Sequence, residues 1–163
     1  VGLLLYGILP NGSNTPHELS PVLSLKTEVR YVKEVPSGSA LSYGGTFVTN
    51  RPSRIATIPI GYADGLPVRV SNRAKVLIRG RRFPIVGRVT MDMTLVDVTG
   101  DGVCVGDEVV VIGSQNGERI TAEELAGWAE TIPYETVCGI GKRIPRMVVN
   151  ENVFIPKVAT AKL

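Results

Sequence analysis

A mostly β fold is predicted for this 163-residue chain by three features of its sequence. It carries 18 glycines and 11 prolines. Its short apolar runs are separated by turn-forming clusters at intervals of roughly ten residues, the rhythm of a sandwich or a barrel. And one segment stands out for its helical spacing. The length suits one domain with a sizeable core, or two small lobes sharing one. Hydrophobic residues make up 44% and charged ones 20%, ordinary proportions for a soluble globular protein.

The elements follow in order. Residues 1–9 form a continuous apolar run, fit for a fully buried strand, and the turn residues at 10–16 (PNGSNTP) end it. Residues 25–35 alternate, with Leu25, Val29, Tyr31 and Val35 on one side and Lys26, Glu28, Arg30 and Glu34 on the other, which predicts one half-buried strand. Pro36-Ser37-Gly38-Ser39 makes a turn, and 40–48 returns as its partner. Residues 55–60 are a further apolar strand, ended by Gly61. Residues 75–79 and 83–86 form a hairpin about Gly80. Short strands are expected at 94–98, 108–112 and 147–149. Thr121-Ala122-Glu123-Glu124 has the form of a capping box, and Leu125, Trp128, Ala129 and Ile132 give the helix it opens one apolar face. Trp128 is expected as a core anchor, with Pro133 ending the helix. Residues 157–163 are expected as a tail or edge strand.

Charge and composition exclude several functions. The net charge is only +3, and the basic residues are dispersed. The densest group, Arg79-Gly80-Arg81-Arg82 with Lys75 upstream, reads as a solvated hairpin tip, so no nucleic-acid partner is expected. Cys104 and Cys138 belong to no CxxC pair, and His17 is the sole histidine, so no metal site is expected. Both cysteines are expected as buried small hydrophobes in a reducing, cytoplasmic setting. The first ten residues are too short to span a bilayer and lack a signal peptide's basic region and cleavage site. No membrane partner is expected. A buried strand opening at residue 1, with no initiator Met, suggests a chain cut from something longer.

Three segments are unusual for a plain β domain. In Ser42-Tyr43-Gly44-Gly45-Thr46 a phenol sits where the backbone is free to turn sharply and other groups can approach. It could act as a general acid or base, although these residues alone favour an aromatic packed at a hairpin bend. In Gly61-Tyr62-Ala63-Asp64-Gly65 a phenol and a carboxylate share a tight loop at a strand end, a common home for binding residues, yet Asp-Gly is equally a turn pair. In residues 85–92 (IVGRVTMD), Arg88 and Asp92 lie four apart, on one face if the segment is a strand. They form either an internal ion pair or a gate or carboxylate site, and spacing does not choose.

Together these segments resemble the C-terminal domain of alanine racemases. The resemblance rests on SYGGT at 42–46, IPIGYADG at 58–65 and IVGRVTMD at 85–92, with GLLLYG at 2–7 and YETVCGIGKRIPR at 134–146. It covers nearly the whole chain. It implies a mostly β, barrel-like C-terminal domain, residues 1–163, with one or two short helices. Residues 1–9 would continue as a strand from an N-terminal barrel that this chain lacks. It further implies a homodimer that racemises alanine with pyridoxal 5′-phosphate, the cofactor being held mainly by that barrel. Tyr43 matches the catalytic tyrosine, the base for the L-enantiomer, presented to the partner subunit. Met91 matches the position whose backbone N–H binds the substrate carboxylate, with Asp92 beside it, and Tyr62 the tyrosine that narrows the entry corridor to the cofactor. Arg88 and Ile140 match outer positions of the entry corridor, and Gly2 and Leu3 match contacts to the cofactor phosphate. Lys142 stands where some members have a phosphate-contacting tyrosine. A serine or broad-specificity racemase on the same scaffold, or a non-catalytic β domain, are the alternatives. The chain alone is expected to be inactive. The resemblance fits both biosynthetic use of D-alanine for the cell wall and breakdown of L-alanine.

Overall fold

The computed structural model describes residues 2–9 and 19–149. His17, the turn residues at 10–16 and the segment 157–163 lie outside them. The fold is mostly β with two short helices. The strands are β1 (Leu25–Glu28), β2 (Tyr31–Val35), β3 (Ala40–Leu41), β4 (Phe47–Val48) and β5 (Ser53–Ile58). They continue with β6 (Lys75–Ile78), β7 (Arg81–Pro84), β8 (Thr94–Asp97), β9 (Glu108–Gln115) and β10 (Glu118–Ile120). The helices are α1 (Ala122–Ala129) and α2 (Pro133–Gly139).

All pairings are antiparallel. One sheet runs β1-β9-β6-β7, with β10 also on β9, and a second runs β2-β5-β8. The two sheets join at both sides. After β7, Ile85 bridges to Val96 of β8, and Val86 N–H donates to the Leu95 carbonyl at 2.9 Å. At the other side the chain steps from β1 to β2. Val29 N–H donates to the Asp107 carbonyl, while Arg30 N–H donates to the Thr57 carbonyl on the second sheet, both at 2.9 Å. The ring of strands is thereby closed into a small barrel, which removes exposed sheet edges.

The interior is aliphatic. Val29, Ile58, Val76, Ile78, Val96, Val109 and Leu125 are buried in one cluster. Each fully buried Val, Leu or Ile contributes about 1.5–3 kcal/mol relative to exposure, so this cluster is what holds the frame rigid. Trp128 packs partly buried between that cluster and a smaller one of Leu77, Val110 and Ile120, as its expected anchoring role requires. The hairpin of β6 and β7 turns at Arg79 (φ 54°) and Gly80 (φ 77°), two left-handed residues whose twist suits a two-residue hairpin loop. Its arginines are paired with acids: Arg79 with Asp107, Arg81 with Asp101, and Arg82 with Glu118 and Glu124.

Several expectations are corrected. The described part of the expected strand at 1–9, residues 2–9, is not a strand: Gly2–Tyr6 is a 3-10 turn. Only Leu3 and Ile8 are buried there, against Ala122 and Val137, and the backbone closes locally through Gly7 N–H to Leu4 O and Ile8 N–H to Leu3 O. An unbroken apolar run has no period to separate strand from helix. Residues 25–35 are two strands, because the chain changes sheet at Val29–Arg30. The inward parity resets there, leaving Tyr31 exposed and Val32 partly buried. Residues 40–48 pair with themselves as β3 and β4, and the partner of β2 is β5.

Pro133 begins α2 rather than ending α1. It occupies the first helical turn, where its missing N–H costs nothing, while α1 stops at Glu130 in the left-handed conformation. Ile132 caps α2 and is exposed. Residues 147–149 form no strand and are exposed. Cys104 and Cys138 are free and exposed, not buried: Cys104 lies in a turn, and Cys138 on the outer face of α2.

Candidate active site

Four chain segments lock together: 42–46 between β3 and β4, 61–65 after β5, 86–93 between β7 and β8, and 139–146 after α2. The first carries Tyr43. Ser42 holds φ 60°, ψ −177°, a region that costs a non-glycine residue about 1–3 kcal/mol and persists only when its surroundings enforce it. The enforcing contacts come from the third segment. Ser42 Oγ donates to the Arg88 carbonyl at 2.6 Å. Gly87 passes so close beneath that a Cβ there would lie 2.7 Å from Ser42 Cβ. Asn72 ties the far end of the turn: its Nδ2 donates to Thr46 Oγ1 at 3.2 Å, and its Oδ1 accepts Gly87 N–H at 2.6 Å. The Tyr43 side chain is left 72% exposed. It is not an aromatic packed at a bend.

The second segment carries Tyr62, 46% exposed, and is mounted through backbone. Tyr62 N–H donates to the Thr90 carbonyl and Ala63 N–H to the Met91 carbonyl, both at 3.0 Å. Gly61 runs directly under residues 90–91, where a Cβ would lie 2.2 Å from the Thr90 oxygen. Asp64 is 5% exposed. One of its oxygens accepts Gly61 N–H at 2.9 Å, the other Arg143 Nε–H at 2.7 Å. Asp64 is thus a turn residue and an ion-pair partner together. Arg143 also donates through Nη2 to Asp92 at 2.7 Å. Its hydrogen bonds to Asp64 and then to Asp92 raise its already high pKa further, so it stays a fixed cation. The segment also receives Gly141 N–H on the Asp64 carbonyl at 3.0 Å.

In the third segment the expected strand geometry for Arg88 and Asp92 is not found. Residues 87–93 are irregular, and Asp92 pairs with Arg143 instead. Arg88 is exposed and enters no salt bridge among the described residues. A segment that must pack closely against Gly61 and Ser42 at once cannot keep a pleat. Met91 is 51% exposed. Its carbonyl is engaged by Ala63, whereas its N–H has no hydrogen-bond acceptor among the described residues.

The fourth segment buries Ile140 in the barrel core, and the Ile140 carbonyl accepts from Arg146 Nη2 at 2.8 Å. Lys142 is exposed beside it. Gly2 is exposed, and Leu3 is buried against Ala122 of α1 and Val137 of α2, whose C-terminus leads into Ile140. Sequence reasoning missed Arg143 and Asn72 as organisers. The only available signal was a pair of loop acids, Asp64 and Asp92, that would need a cation.

Among the described residues no cluster of His, Cys, Asp and Glu could hold a metal, and no helix is long and apolar enough to cross a membrane. All four described lysines, Lys26, Lys33, Lys75 and Lys142, are exposed.

Residues 22–148 match the family model described as "Alanine racemase, C-terminal domain". The chain is 53% identical over 150 residues to alanine racemase 2 of Caldanaerobacter subterraneus subsp. tengcongensis, covering 91% of this chain and 39% of that protein. Its fold matches the crystal structure of alanine racemase from Bacillus anthracis with bound L-Ala-P at a TM-score of 0.87 and 40% identity, over 92% of this chain and 39% of that one. It also matches alanine racemase from Bartonella henselae with covalently bound pyridoxal phosphate at 0.82 and 35%, over 91% of this chain and 40% of that one. The chain therefore spans about 40% of the length of the relatives it matches.

Proposed function

Because the chain belongs to the alanine racemase C-terminal domain family, we propose that it is the β-domain portion of a pyridoxal 5′-phosphate-dependent alanine racemase. In this reading the domain presents Tyr43 to the active site of a partner subunit. The observation that carries the proposal is the outward phenol of Tyr43, 72% exposed on a turn whose every anchor is made within the domain. A side chain meant for its own core would not be held out in this way.

Racemisation takes the α-proton from one face and delivers another proton to the opposite face, so it needs two proton-transfer groups facing each other. Tyr43 is the group for the L-enantiomer, and the opposing one comes from outside this chain. Pyridoxal 5′-phosphate, when bound, supplies the electron sink for the negative charge left at the α-carbon. The residues present suit its phosphate end alone: the exposed Lys142 ammonium brings a point charge, and the backbone at Gly2 and Leu3 brings N–H donors. The N–H of Met91, which has no acceptor among the described residues, donates to the substrate carboxylate. Asp92 keeps that loop in place through Arg143, Tyr62 narrows the approach, and the exposed Arg88 belongs to its outer wall, while the Ile140 side chain lies buried in the core.

The test is racemisation of alanine by the full-length enzyme carrying this domain, followed by optical rotation. Tyr43→Phe is expected to lower turnover by about 10²–10⁴-fold, the usual contribution of a positioned acid–base group, and the chain alone is expected to show none. Full turnover in Tyr43→Phe would remove the phenol from the reaction.

A further inference from the structure

We propose that Ser42 is the positioning residue for Tyr43, spending backbone strain and its hydroxyl to fix the phenol relative to the loop that carries Met91. The inference rests on the reading of Tyr43 given above and deepens it. Three observations carry it. Ser42 has φ 60°, ψ −177°, a conformation essentially reserved for glycine, although glycine follows at the next two positions but one and could have been placed here. Its Oγ–H is spent on the Arg88 carbonyl at 2.6 Å, three residues before Met91. Its Cβ rests against Gly87 at a distance no further methyl could share.

A glycine at 42 would adopt the same backbone without strain, yet it would lack both the hydroxyl and the Cβ. What the serine adds is a tether between the turn bearing the phenol and the strap bearing the free amide. Those are the two groups that must meet one substrate, Tyr43 at its α-proton and Met91 at its carboxylate. Their separation is set here within a single domain, before any second subunit is involved. Asn72 closes the same turn from its other end, through Thr46 and the Gly87 N–H, so the tether at Ser42 controls the Tyr43 end alone.

The experiment is α-deuterium exchange from L-alanine and from D-alanine, measured separately on the full-length holoenzyme. Loss of positioning at Tyr43 slows exchange from the L-enantiomer and spares the D-side, which the opposing group serves. A purely structural role would slow both alike. Ser42→Ala is expected to lower L-side exchange by about 10–100-fold relative to D-side, the scale on which small misplacements act. Ser42→Gly, which removes the hydroxyl while relieving the strain, is expected to show the same asymmetry and serves if Ser42→Ala folds poorly. Equal loss on both sides, or no loss, in variants that keep the wild-type melting temperature would overturn the proposal. Tyr43→Phe runs alongside. If it abolishes L-side exchange while both Ser42 variants stay symmetric, only the positioning role fails. If it leaves L-side exchange intact, the reading of Tyr43 fails and the proposal falls with it.

Discussion

Two exposed tyrosines lie on neighbouring turns of this domain, and they are mounted by opposite means. The turn of Tyr62 is part of the frame: backbone N–H groups of Tyr62 and Ala63 pair with residues 90–91, Gly61 lies against those same residues, and the buried Asp64 carboxylate closes the turn and receives Arg143. The turn of Tyr43 is an attachment to the frame, made by the side chains of Ser42 and Asn72 and by a strained backbone. Backbone pairing leaves little adjustment, whereas side-chain tethers set a position that evolution or mutation can move by small steps. On the proposed reading, the group that narrows an approach has the first kind of mount and the group that must reach one atom of a substrate has the second.

The glycines expose this difference most strongly. Gly61→Ala would drive a methyl to within 2.5 Å of three backbone atoms of residues 90–91. Neither side can yield, so a loss of about 3 kcal/mol or more is expected, the upper range for overpacking, read as a shift of the urea midpoint. Asp64→Ala comes next. It strands Gly61 N–H in a buried site and removes one of the two carboxylates on Arg143, and about 2 kcal/mol is expected. Melting should reveal it, and the Tyr62 turn should lose protection against amide exchange. Gly44→Ala is milder. Its φ of 76° is left-handed, but the nearest atom to an added methyl is 3.7 Å away, so only conformational strain of about 1 kcal/mol is expected. An equal loss in Gly44→Ala and Gly61→Ala would erase the distinction between the two mounts.

Asp107, remote from both turns in sequence, gives the smallest effect and a baseline for acid stability. Burial pushes its carboxyl up, but the Cys104 N–H and the Arg79 guanidinium more than offset this and hold it below its ordinary value of 3.8. A lowered folded-state pKa means that the ionised form stabilises the fold above the unfolded value. That contribution is lost as pH falls through the folded one. Asp107→Asn should therefore be less stable than wild type at neutral pH, with the gap closing below about pH 4. A gap that persists or widens in acid would contradict the assigned direction.

Much of the frame was legible because its signals are local. The hairpin at Arg79-Gly80 shows itself through a turn residue between two apolar runs. The start of α1 shows itself through Thr121, whose Oγ1 accepts Glu124 N–H at 3.1 Å. Even there the reciprocal half of the capping box is not made, since the Glu124 carboxylate is taken by Arg82. The step between sheets at Val29–Arg30 was not legible, because an unbroken alternation hides a change of partner. The site was legible as three motifs but not as an assembly. Tyr43 is turned outward by Asn72 and Arg88, 26 and 46 residues from the groups they bind. Arg143 reaches Asp64 and Asp92 across 79 and 51 residues. No spacing rule spans such distances; only the closed barrel brings them together.

The most direct measurement is the ratio of α-deuterium exchange from L-alanine to that from D-alanine in the full-length holoenzyme, before and after Tyr43→Phe. An outward phenol that serves one face of the substrate predicts that L-side exchange falls by about 10²-fold or more while D-side exchange persists. An unchanged ratio would show that this tyrosine, however exposed, carries no proton in the reaction.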